Sequence, residues 1–156
     1  MAERHCTTAK SCAGFTLIEL IMVVVVASIM MGVAIPYLMR SSDRGGVTES
    51  TVAISTMHAR AKLAAIQRGR VARLKMKASN NTMWVVATTA SGTGLDTLGS
   101  VEDLYNRFGV TFTTTRDSLV FTPRGLGTES SGTTIIITKG TAADTITISA
   151  AGRLVH

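Results

Sequence analysis

The sequence predicts an α+β protein in which a long N-terminal hydrophobic helix packs on a C-terminal antiparallel β-sheet or small sandwich. Three observations predict it. Residues 20–35 form an apolar run that no charged residue interrupts. Apolar positions then recur at helical spacing as far as Ala64, and beyond Gly69 the period falls to two. Threonine- and valine-rich runs follow one another with no helical pattern between them, which favours strands stacked on a preceding helix over alternating βαβ units. At 156 residues the chain has room for one modest domain and one membrane segment.

The first element is the apolar run. From Phe15 to Met39 its only charged residue is Glu19. A helix of roughly 20 apolar residues rises about 30 Å, enough to cross a bilayer core. A secretory signal core is shorter, about 7 to 15 residues, and ends at a small-x-small site, for which Gly32-Val33-Ala34 is a weak match. The length therefore favours an anchor over residues 15–39. Charge does not orient it, because Arg4 and Lys10 before the run are balanced by Arg40 and Arg44 after it.

Residues 40–69 continue the helix. Val47, Ile54, Met57, Ala61 and Ala64 share one side, with Glu49, Arg60 and Gln67 elsewhere on the wheel. Gly69 is a plausible terminator. Two positions weaken this helix. Pro36 removes one hydrogen bond and is a candidate helix break, and Gly45-Gly46 is a second soft place. The helix either runs through both or stops near Pro36 and restarts at Val47.

Residues 70–156 form the β-rich domain. Val71, Arg73, Lys75 and Lys77 alternate with Ala72, Leu74 and Met76, the pattern of a strand with one wet face. Residues 83–88, 110–114, 118–122, 133–138 and 145–149 supply further strands, for six or seven in all. Residues 100–108 carry a helical turn or two within a long connection, with Ser100 as its cap.

The formal charge of +6 is concentrated, since residues 40–77 hold nine Lys or Arg against two acids. His5, His58 and His156 are far apart and show no metal-ligand spacing. No nucleophile elbow, phosphate loop or paired-carboxylate pattern stands out, so catalysis, metal and cofactor chemistry are not indicated.

Ahead of the apolar run lies Ala13-Gly14-Phe15-Thr16-Leu17-Ile18-Glu19-Leu20. This motif resembles that of the type IV prepilins, with glycine, then phenylalanine, then glutamate as the fifth residue of the mature chain. The resemblance implies a leader over residues 1–14, removed on the cytoplasmic side by a prepilin peptidase that also methylates the new N-terminus, so that Gly14 and Phe15 are the processing pair. Pro36 falls where these helices commonly carry proline. Cys6 and Cys12 both lie in the leader, so the processed chain holds no thiol and no disulfide. The chemistry of Glu19 points the same way from physics alone. A carboxylate inside a membrane helix costs a few kcal/mol and needs a partner. The Phe15 ammonium of a neighbouring subunit is suitable, because a buried charge left unpaired is strongly destabilising.

Phe121-Thr122-Pro123-Arg124-Gly125, Thr133-Thr134-Ile135-Ile136-Ile137, Ile146-Thr147-Ile148-Ser149 and Gly152-Arg153 further resemble the GspH/FimT branch of minor pseudopilins. That branch implies an inner-membrane protein with a periplasmic domain, assembled with other pilins into a secretion pseudopilus or type IV pilus as a minor subunit near its tip. Some pilus members of the branch bind DNA through a C-terminal Gly-Arg-x-Arg; here Gly152-Arg153-Leu154 fits and Val155 replaces the second arginine. Arg73, Lys75 and Lys77, with Arg153, are the candidate DNA contacts, set against the commoner role of a charge stripe as a solvated face. The competing class is a single-pass anchored or secreted protein unrelated to filaments, cut if anywhere after Ala34.

Overall fold

Helix α1 runs from Leu17 to Arg68 in the computed structural model, which describes residues 15–155. Residues 1–14, the expected leader, with Gly14, Cys6, Cys12 and His5, lie outside the described residues, as does His156. Thr16 starts the helix: its Oγ1 accepts from the Glu19 N–H at 3.3 Å, which satisfies one of the donors a first turn leaves unpaired. The helix is continuous through Pro36 and through Gly45-Gly46, so the stop and restart does not occur. Proline costs one hydrogen bond, and the flanking turns retain theirs.

The chain forms two compact units that divide between Leu38 and Met39. In the first, the apolar side chains from Leu17 to Val26 and from Ile29 to Leu38 are exposed. Ser28 is satisfied within the helix, its hydroxyl donating to Val24 O at 2.8 Å.

In the second unit α1 buries Val47, Ile54, Met57, Ala61 and Ala65. Ala64, expected in this stripe, is half-buried beside it. Gly46 is required by a close approach, since a Cβ there would stand 2.8 Å from Phe108 O. Gly45 faces open space. The helix ends as expected at Gly69, whose φ of 60° lets its N–H reach Ile66 O and the Arg70 N–H reach Ala65 O, both at 3.2 Å.

The remaining elements are β1 (Ala72–Lys77), β2 (Thr82–Thr88), β3 (Leu95–Asp103), α2 (Leu104–Phe108), β4 (Thr111–Thr114), β5 (Ser118–Phe121), β6 (Thr133–Lys139), β7 (Ala142–Ile148) and β8 (Leu154–Val155). They make two antiparallel four-stranded sheets, ordered β3-β2-β1-β5 and β4-β6-β7-β8. Their inner faces and α1 share one core, in which Leu74, Met76, Met83, Val85 and Phe121 of the first sheet meet Phe112, Ile135, Ile137, Ile146 and Ile148 of the second. Asn81 stitches the sheets together, its Oδ1 accepting from Phe112 N at 3.0 Å and its carbonyl from Leu104 N at 2.9 Å.

Two local expectations are corrected. The long connection before residue 104 is the nine-residue strand β3, whose pairing with β2 shifts register between Met83 and Val85. Ser100 lies within that strand and caps nothing; Asp103 caps α2 by accepting from Asn106 N at 2.9 Å. The short β8 was also not expected. Both strands are irregular, β3 because Gly99 at φ 83° breaks its alternation, and β8 because two residues carry no period.

Candidate functional site

Phe15 and Glu19 sit at the start of α1. Phe15 is 78% exposed, and Glu19 is exposed among apolar neighbours. Among the described residues no cation forms a salt bridge with Glu19. The backbone around it is firmly held, because its N–H donates to both Thr16 O at 3.1 Å and Thr16 Oγ1. Thr16 and Glu19 thus stand in the Thr-x-x-Glu spacing of a helix-capping box. That spacing is legible in the sequence, and Thr16 is the residue the sequence reading passed over. It fixes where the helix begins, and so where along the axis the carboxylate stands. Pro36 lies nearly three turns before the first helix residue that the domain buries, Gly46, and takes no part in the core.

The basic stripe is real as geometry. Arg73, Lys75 and Lys77 alternate with the buried Ala72, Leu74 and Met76 on β1. Lys75 lies opposite Trp84 on β2 and Ser118 on β5, and Arg73 lies between Val86 and Val120. These side chains border a shallow depression of about 510 Å³ that Asp117 also lines. Arg73 Nε is buried there without a hydrogen-bond partner, and the salt bridges of the described residues engage Arg68, Arg107 and Arg116 instead. Arg153 is not brought to this stripe. It stands exposed in the turn before β8, in the other sheet, with its N–H on Ser149 Oγ.

A helix of membrane-crossing length and composition, followed by an α+β domain of two antiparallel sheets, defines the pilin-like class. The family model for the type II transport protein GspH matches residues 53–152, and the chain belongs to that family. The prokaryotic N-terminal methylation motif matches residues 9–35, which include Gly14, Phe15 and Glu19. The fold is similar to that of the type IV minor pilin FimU of Pseudomonas aeruginosa, with a TM-score of 0.58 at 19% identity over 72% of this chain and 88% of that one. It is likewise similar to the minor pseudopilin EpsH from the type 2 secretion system of Vibrio cholerae, with a TM-score of 0.56 at 15% identity over 70% of this chain and 94% of that one. No curated protein matches the sequence.

Proposed function

We propose that this chain is a minor pilin or pseudopilin subunit, cut between Gly14 and Phe15 by a prepilin peptidase, methylated at Phe15, and held in the inner membrane with its β-rich domain in the periplasm. Its partners are other pilins, joined through the helices of residues 15–38. The observation that carries this reading is Glu19, the lone acid near the start of the apolar, exposed stretch of residues 15–38. In lipid such a carboxylate is costly unless paired. An ammonium at Phe15 of the adjoining subunit neutralises it and sets the axial register.

Two measurements test this. Mass spectrometry of the mature protein is expected to find methylated Phe15 at the N-terminus; Ile35 or an intact Met1 there would support a plain signal or anchor. Glu19→Ala is expected to leave cleavage intact and to reduce recovery in sheared filaments at least tenfold. Normal incorporation of that variant would remove the pairing role.

A narrower second reading, contact with DNA, rests on the unpaired Arg73-Lys75-Lys77 stripe with Trp84 across from its centre. Alternating strand residues are about 6.8 Å apart, a spacing that suits successive phosphates, and an indole offers bases a stacking surface. A gel shift at low salt that Lys75→Glu weakens is the expected result. No shift at low salt would dismiss DNA and leave the stripe as a solvated face.

A further inference from the structure

His58 is the one histidine among the described residues, and the filament reading makes no use of it. It points inward from α1, is 7% exposed, and its Nε2 is buried without a hydrogen-bond partner. Its ring meets Phe121 of β5 edge-on, with centroids 5.2 Å apart and planes at 80°. The turn leading to β8 closes against the same ring. Gly152, at φ 79°, has no room for a side chain, because a Cβ would lie 3.0 Å from both Phe121 Cε1 and Gly127 N. Gly127 in turn donates to Ala151 O at 3.0 Å. One imidazole therefore sits where the helix, the first sheet and the terminal turn of the second sheet meet.

The charges around this junction share one sign. Lys62 is one turn along α1, and its Cε comes within 3.2 Å of where a Gly125 side chain would begin. The loop of residues 122–127 carries Arg124, the turn of residues 149–153 carries Arg153, and β5 itself carries no charge. Asp117, just before β5, lines the depression on the sheet's other face. Asp144 reaches the buried side of α1 but accepts from Thr51, two turns before His58. Burial pushes the His58 pKa below its ordinary 6.5; the Gly152 backbone raises it in part, and Lys62 lowers it again.

We propose that His58 is a proton-operated latch: neutral, it holds residues 149–155 and the loop of residues 122–127 against α1, and protonated it releases them. Protonation gives Nε2 a hydrogen that has no acceptor and places a cation beside Lys62, and a buried charge without a partner is costly. The opened chain takes up its proton near pH 6.5, whereas the closed domain resists until a lower pH. The closed form therefore keeps its full stability above about pH 6.5 and loses it progressively as the pH falls from there toward the closed-state pKa. Release would free β8 from β7 and carry Arg153 away from the sheet. This inference stands on the domain alone and does not depend on the filament reading.

The test follows the His58 ring resonances and amide hydrogen exchange of the full chain in detergent micelles from about pH 8 to 5, the range in which histidine titrates. Protection factors at residues 122–127 and 149–155 are expected to fall by up to about tenfold per pH unit from an onset near pH 6.5 and to level off at the midpoint of the His58 resonance. Protection in β1 and β2 should hold. His58→Gln, which cannot titrate, is expected to abolish the pH dependence. Flat protection factors, the same fall in His58→Gln, or a fall that continues unchanged below the ring midpoint would overturn the latch. If the variant does not fold, whether the wild-type fall levels off at the ring midpoint decides.

Discussion

Two stretches of α1 have the same backbone and opposite relations to their surroundings. Between residues 17 and 38 nearly every side chain is apolar, and the apolar ones are exposed all round the helix. Between residues 47 and 65 a stripe of apolar residues is covered by the domain's own sheets, while Val52 and Leu63, off that stripe, stay exposed. The difference teaches how to tell an apolar helix that serves its own chain from one that serves something outside it. An all-round apolar surface asks for a medium or for neighbours, whereas a stripe asks only for a core.

Matched substitutions sharpen that contrast. The largest effect is expected at Ile54, which is completely buried: Ile54→Ala should lower the unfolding free energy of the domain by about 2–5 kcal/mol in a denaturant titration. Ile29→Ala, the same change at a site 67% exposed, should leave the midpoint where it was. Equal effects at the two sites would show that the stretch of residues 17–38 is packed within its own subunit. Next come the adjacent glycines. Gly46→Ala drives a methyl against Phe108 O and Lys139 and should cost roughly 1–3 kcal/mol. Gly45→Ala meets open space and should stabilise the helix by about 0.5–1 kcal/mol. Like signs in thermal melts of the two variants would mean that α1 does not approach α2 as described. A change of similar size to that at Gly45, but of opposite sign, is expected from Asp103→Ala, which removes the cap of α2 and should cost about 1 kcal/mol.

What the sequence made legible follows from periodicity. The stripe of α1, its end at Gly69, and strands β1, β2, β4, β5, β6 and β7 all carry a regular pattern, and each appears within a few residues of its expected place. β3 was hidden because Gly99, Ser100 and two acids imitate a connection, and its irregular pairing with β2 erases the alternation. The split of eight strands into two sheets is a long-range property that no local period encodes. At the N-terminus the motif exposed Glu19 directly, while Thr16 needed attention to the spacing of a helix cap. The His58 junction was beyond reach of the sequence, since it joins residues 58, 121, 127 and 152 only once both sheets have formed.

The hydrogen bond from Ser28 to Val24 O has a consequence for movement. With that hydroxyl turned back onto its own backbone, the side chains from Leu20 to Ile35 present no donor or acceptor that must be re-matched when their environment changes. Such a rod can slide, rotate or change neighbours at little polar penalty. In the filament proposed above, position along the axis is then dictated from one end, by a single acid, in the way that a key's stop sets its depth while the blade runs free.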